Sequence, residues 1–267
     1  MDALMRAGSP SRTAWSAARY RAAHQLLEGG AIFQDDLAVR LSGEPNSVLL
    51  ADAPRRGMRL FIAARHRFAE DALAAAVSRG VRQVVVLGAG LDTFAYRNQD
   101  LDLSVVEVDH PDTQAWKREQ LASAGIDVPP NVRYLGVDFE TSSLAAHLSV
   151  ERPSFFMWLG VVPYLTPDAF AETLAVTVGH EVVFDYAQSP AVAVGERRVA
   201  LEARADRVAA LGEPWLSYFE PDEIDSRMRS LGFAEIEDLG PSALAARYFG
   251  RTDVPPATSG GHLLRAR

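Results

Sequence analysis

Two hydrophobic periods divide the chain near residue 80. Before it, apolar side chains recur at helical spacing, with Trp15, Ala18, Ala22 and Leu26 on one face of a predicted helix over 12–28 that Gly29-Gly30 stops. A loop with Asp35-Asp36, Gly43 and Pro45 is expected next. A longer helix then runs from Arg56 to Ser78 and closes at Gly80. Beyond it, short apolar runs bounded by glycine or proline alternate with amphipathic stretches, the signature of a mainly parallel sheet covered on both faces.

The predicted strands are Val84–Leu87, Val105–Val108, Val132–Val137, Ser154–Trp158 and Glu181–Tyr186, closed by Phe233–Leu239 and His262–Arg265. A helix after Pro111 ends at Gly125, and Thr166-Pro167-Asp168 opens another with a capping threonine and proline at the first helical position. Residues 189–222 break the alternation with a helix over about Gly195–Leu211 and an aromatic loop of Trp215, Tyr218 and Phe219. This insert and the N-terminal helices are expected near the carboxyl ends of the strands, where open α/β sheets bind ligands.

The first strand runs into Gly88-Ala89-Gly90-Leu91-Asp92-Thr93, and the second ends at Asp109, 21 residues beyond Gly88. This is half of a nucleoside-binding βαβ unit: glycines let the backbone approach a flat ligand, and a carboxylate on the neighbouring strand accepts from ribose hydroxyls. Dinucleotide sites want a third glycine where this chain has Thr93. The departure disfavours NAD and suits S-adenosylmethionine, which has an adenosine but no phosphate to seat. An ordinary buried strand and turn is the plain alternative.

Arg65 lies within the apolar stripe Met58, Phe61, Ile62, Phe68, Ala72, Leu73 and Ala76, with His66, Arg67, Glu70 and Asp71 expected on the other side. A buried guanidinium requires an anion, either a structural carboxylate or the carboxylate of bound S-adenosylmethionine. Asp138 and Phe139 follow the third strand, where an acid accepts from an adenine amino group and a ring covers it; a loop Asp making a turn is the alternative. Leu159, Gly160 and Tyr164 follow the fourth strand, as pocket lining or as core. Arg197-Arg198 reads as a solvated face.

Composition adds exclusions. Hydrophobic content of 48% and 23% charged residues are those of a globular protein, and the net charge of −8 disfavours nucleic acid as a partner. Without cysteine there are no disulfides, thiolate metal sites or cysteine nucleophiles. The six histidines lack ligand spacing, so no metal is expected, and no G-x-S-x-G elbow suggests a hydrolase. The N-terminus has no apolar signal region and no segment is a membrane span, so a cytoplasmic protein is expected.

The stretch Val84–Thr93 with Tyr96-Arg97, followed by Val106-Glu107-Val108-Asp109-His110-Pro111, resembles the leucine carboxyl methyltransferase family, and within it the bacterial S-adenosylmethionine-dependent branch. The likeness extends to Ala64-Arg65, Val137-Asp138-Phe139, Trp158–Val161 with Tyr164-Leu165, and Tyr218–Pro221, from about residue 12 to 250. It implies a class I methyltransferase fold, a Rossmann-like seven-stranded α/β sheet with helices on both faces and its last strand antiparallel. It also implies roles: Arg65 at the cofactor carboxylate, Gly88, Ala89 and Gly90 in the glycine loop, Asp109 at the ribose, Asp138 and Phe139 at the adenine. Many relatives carry Glu-Gly after the fourth strand. This chain has Leu159-Gly160, so the cofactor ammonium there must be met by backbone or from elsewhere.

The sequence therefore reads as an S-adenosylmethionine-dependent O-methyltransferase of a small molecule, at a carboxylate by what the resemblance implies and because no catalytic acid or base stands out. Residues 1–80 would form an N-terminal helical lid on a core of 81–267. Tyr164, Trp215 and Tyr218 would face the acceptor, the last two from the 189–222 insert. Oligomeric state is left open. An NAD-dependent oxidoreductase and a binding protein that kept the fold without turnover are the competing readings.

Overall fold

Each inner strand is apolar at consecutive positions because both of its faces are covered. The computed structural model describes residues 11–51, 56–251 and 260–267, and the first ten residues of the expected lid lie outside these. The helices are α1 (Arg12–Glu28), α2 (Asp36–Leu41), α3 (Asn46–Ala51), α4 (Arg56–Ser78), α5 (Phe94–Arg97), α6 (Pro111–Ser123), α7 (Pro167–Val176), α8 (Gly195–Ala210), α9 (Pro221–Ser230) and α10 (Pro241–Tyr248). The strands are β1 (Gln83–Leu87), β2 (Ser104–Asp109), β3 (Val132–Gly136), β4 (Phe155–Trp158), β5 (Glu181–Ala187), β6 (Ile236–Leu239) and β7 (Gly261–Ala266). They form one sheet in the order β3-β2-β1-β4-β5-β7-β6. β7 runs antiparallel to both β5 and β6, and the other pairings are parallel. This is the class I methyltransferase topology that the resemblance implies.

The sheet separates two cores. Val84, Val86, Phe155, Met157 and Val183 pack on the face that carries Phe68, Ala69, Ala72 and Leu73 of α4. Their neighbours Val85, Leu87, Phe156, Trp158 and Phe184 turn the other way, onto Phe170 of α7 and Ile224 and Met228 of α9. Trp158 stacks on Phe170 with ring centroids 5.5 Å apart. β1 and β4 are adjacent, while the chain runs from β1 to β2 on one side and from β4 to β5 on the other. The crevice above their carboxyl ends is therefore the topological switch point of the sheet.

Two sequence expectations change. The expected loop after Gly30 contains the short helices α2 and α3, too brief for periodicity to reveal. Asp35 caps α2, its carboxylate accepting from the Ala38 amide. His66 is buried, not on the solvent side of α4: it lies 3.2 Å from Asp92 and packs on Phe33 of the segment after α1. A second layer of helices covers the face that periodicity assigned to water. No described helix is long and apolar enough to cross a membrane.

Candidate active site at the sheet switch point

The glycine loop leaves β1 with Gly88 at φ +62° and Gly90 at φ +43°, backbone that favours glycine. A Cβ on Gly88 would stand 2.2 Å from Val161, just beyond β4, and one on Gly90 would stand 2.9 Å from the Ala14 methyl of α1. The two loops of the switch point thus press together, with the N-terminal helix lying directly on them. Ala89 is buried and its amide donates to the Val108 carbonyl of β2.

Asp109, at the end of β2, accepts from the Gly90 amide through Oδ2 and from the His110 amide through Oδ1. Burial raises its pKa above the ordinary carboxyl range, against the lowering effect of those two amides. Thr93, the departure from the dinucleotide pattern, is an anchor. Its hydroxyl donates to the fully buried Asp35 at 2.8 Å, and Asp35 also accepts from Arg21 Nε at 2.8 Å. The residue that weakened the NAD reading ties the N-terminal helices to the glycine loop.

Arg65 has a partner that sequence reading did not find. Its guanidinium donates to Asp185 Oδ2 at 3.0 Å, and the Gly160 amide donates to Oδ1 of the same carboxylate. Asp185 ends up here because β5 lies next to β4, and it was hidden in the apolar run Val182–Tyr186; an acid inside a fully buried strand was the available signal. The plain explanation of Arg65, a structural salt bridge, is therefore present. Its Nε is nonetheless buried without a hydrogen-bond partner. Gly160, at φ +76°, leaves room for this guanidinium, since a Cβ there would stand 2.5 Å from it. Leu159 is partly buried against the α4-side core.

Asp138 caps a turn, accepting from the Glu140 amide at 3.0 Å and from Thr141 Oγ1 at 2.9 Å, which is the turn reading of that residue. Phe139 packs partly buried on the α7-side core. Tyr164, beside Thr13 of α1 and Trp215 of the insert, has its hydroxyl pKa raised by burial, so it is protonated at neutral pH. Tyr218 meets Trp215 edge to face with centroids 6.0 Å apart. The aromatic loop is tied down where Leu216 and Ser217 amides donate to the Pro163 carbonyl and Ser217 Oγ to Leu165 O. Of the expected site residues, the structure gathers Arg65, Gly88, Ala89, Gly90, Asp109, Leu159, Tyr164 and Trp215 at this edge of the sheet. Asp138 and Phe139 stand one strand further out, after β3.

Glu213 is a further residue that spacing did not reveal. Its carboxylate accepts from the amides of Arg12 and Thr13 and the hydroxyls of Ser11 and Thr13, occupying the free N-terminus of α1. The insert and the N-terminal helix are thereby latched to one another over the glycine loop. Glu213→Ala is expected to weaken this latch by about 1–3 kcal/mol. Amide exchange over 11–16 would quicken while that of β1 and β4 stays unchanged; uniform exchange across both would mean that Glu213 holds nothing in particular.

Two surface clefts of about 430 and 330 Å³ lie at the opposite edge of the sheet, around Glu235 and Arg267 and around Ser154 and His180. Neither meets the residues above. No cluster of three or more metal-ligating side chains occurs among the described residues.

Comparisons with known proteins bear on the family and the fold. Residues 14–178 match the leucine carboxyl methyltransferase family. YktD of Bacillus subtilis, classed by inference as an S-adenosyl-L-methionine-dependent methyltransferase, is 31% identical over 237 residues, covering 84% of this chain and 77% of that one. A Mycolicibacterium gilvum protein of the same class is 37% identical over 137 residues, which span only 45% of its length. Among solved structures, a DUF574 family protein from Streptomyces avermitilis superposes with a TM-score of 0.51 at 17% identity, over 93% of this chain and 97% of that one. The CurJ carbon methyltransferase does so at 0.53 and 13%, over 95% of this chain and 66% of that one. These two likenesses speak for the fold. By the extent of the family match and the identity to its relatives, this chain belongs to the leucine carboxyl methyltransferase family.

Proposed function

We propose that the protein transfers a methyl group from S-adenosylmethionine to a carboxylate oxygen of a small organic acid. The coarser statement, that it is an S-adenosylmethionine-dependent methyltransferase, follows from its family and its relatives. The observation that carries the finer assignment of residues is the convergence of the glycine loop, Asp109 and the Arg65–Asp185 pair at one switch point.

The residues present fit the cofactor. Asp109 keeps carboxylate lone pairs beyond its two amide contacts and would hold the ribose. The unpartnered Arg65 Nε and its neighbouring nitrogens would receive the methionine carboxylate, and Asp185, at the Gly160 amide, would supply the acid that Leu159 lacks for the ammonium. Phe139 and Asp138 would border the adenine. Gly88 and Gly90 would admit backbone approach once α1 moves. Bound there, the cofactor would supply an electrophilic methyl on a sulfonium, which an acceptor oxygen would take while the electron pair of the broken C–S bond stays on sulfur. The protein's contribution is alignment and exclusion of water, the proximity effect.

An ionised carboxylate needs no base. The hydroxyls that line the lid agree with that, because burial raises the pKa values of Tyr164 and Tyr218 and holds them as donors at neutral pH. Residues 1–80 and the 189–222 insert act in this reading as a lid on the 81–267 core, with Trp215 and Tyr218 facing the acceptor.

The test is the product. It is expected to be an ester that mild alkali returns to the acid, formed with a kcat that is level above roughly pH 6, since ordinary carboxyls titrate near 4. A methylated product stable to alkali would refute the carboxylate assignment and leave methyl transfer standing.

A further inference from the structure

The lid helix α8 carries a guanidinium that the fold itself does not neutralise. Arg204 lies over the Trp215 ring, its guanidinium carbon 4.7 Å from the centroid. Among the groups whose fields it feels are Tyr164, Tyr20, Asp185 and Arg65. Its pKa is lowered by burial, against the raising fields of Tyr164 and Asp185 and with a smaller lowering from Arg65, and the residue is half-buried.

The one carboxylate in that set is already spoken for. Asp185 receives Arg65 on one oxygen and the Gly160 amide on the other. No ion pair of Arg204 with a carboxylate occurs among the described residues. Two other arginines of α8 are arranged differently: Arg198 pairs with Glu202 on the exposed face, and Arg207 is exposed. A further donor near Arg204, Arg65 Nε, is buried without an acceptor. The Trp215 indole N–H lies beside the Tyr164 hydroxyl.

Charge bookkeeping gives the ligand class. Arg65, Arg204 and Asp185 together leave one positive charge. A zwitterionic amino-acid group adds none, and a sulfonium adds another. A site loaded in that way holds two positive charges, and an anion at Arg204 relieves that excess.

We propose that Arg204 is a specificity-determining residue that binds a carboxylate of the methyl acceptor, so that the lid closes only on acids. This rests on the methyl-acceptor reading of the site. It extends that reading by naming the residue that selects the acceptor and the charge it selects. The ring of Trp215 holds the guanidinium plane in place, and the planar fork matches a carboxylate in two-point contact.

The test uses the full chain saturated with S-adenosylhomocysteine, titrated calorimetrically with benzoate and decanoate and with their neutral counterparts benzamide and decanamide. The expected result is at least a tenfold preference for an acid over its amide. Arg204→Met and Arg204→Gln would each reduce it to less than twofold, and Arg204→Lys would retain part of it. Affinity for S-adenosylhomocysteine, measured separately, would stay within threefold in all three variants. Equal binding of acid and amide by the unaltered protein would overturn the proposal, as would a preference that survives Arg204→Met. A tenfold loss of S-adenosylhomocysteine affinity in these variants would also overturn it, assigning Arg204 to the cofactor. Failure here is distinct from failure of the ester assignment. An acid can be selected by Arg204 and methylated at another oxygen, which gives an alkali-stable product with the acid preference intact.

Discussion

Asp185→Ala is expected to destabilise the fold by about 3–5 kcal/mol, the largest effect of any single change at this site. The substitution removes the carboxylate that Arg65 reaches at 3.0 Å, and both side chains are buried. It leaves a guanidinium in the core with a second one, Arg204, nearby and no acid between them. The Gly160 amide loses its acceptor as well. Arg65→Met is expected to cost less than Asp185→Ala, because the remaining carboxylate keeps that amide and gains a freer view of Arg204. The double variant Arg65→Met with Asp185→Leu should recover much of the loss, since two apolar groups of similar volume leave no charge behind. Denaturant unfolding of these proteins, with Asp185→Leu alone completing the cycle, measures this directly. Additive losses in the double variant would mean that the pair is not an interacting unit. The single variant separates the two roles of Arg65: a stably folded Arg65→Met, with Asp185 in place, that no longer binds S-adenosylhomocysteine would show a ligand role beyond the structural one.

What the sequence made legible was local. The helix limits at 12–28 and the end of the longer helix at Ser78 came from periodicity with glycine stops, and α1 and α4 have them. The glycine turn and Asp109 were legible because a strand, a turn and the next strand lie within a few dozen residues and their types are dictated by backbone conformation. The Arg65 stripe gave the correct physical demand for an anion. The identity of that anion was hidden, because Asp185 is 120 residues away and only the β4–β5 pairing brings it near. Glu213 meets α1 across some 200 residues, and nothing in its own loop marks it as a helix cap. His66 was misplaced for a related reason. Periodicity reports the width of one apolar face, and α4 is covered on two sides.

Asp109→Ala is expected to weaken binding of S-adenosylhomocysteine by about 2–3 kcal/mol, since two hydrogen bonds to a charged acceptor are lost. The structure adds a second source of loss. Asp109 also receives the Gly90 amide, so its removal frees the glycine loop on which the ligand must lie. Asp109→Asn separates the two, because its amide oxygen still accepts from one backbone N–H while the charge is gone. Most of the loss should persist in Asn if ribose contacts dominate, and most should be recovered if loop geometry does. The raised pKa of Asp109 gives a pH signature. Burial disfavours its charged form in the free protein, so the carboxyl protonates at a higher pH than an ordinary one. Folding therefore gains nothing from this charge: stability falls slightly as pH rises from the unfolded to the folded pKa and is level above. Affinity runs the opposite way. It is full above the folded pKa and declines as pH falls through it, because the protonated acid accepts less well. Calorimetric titration across the acidic range should show that decline in the natural protein and a flat profile in Asp109→Asn. A flat profile in both, with unchanged affinity in Asp109→Ala, would remove Asp109 from the ligand site and with it the nucleoside placement on which Arg65 and Asp185 are oriented.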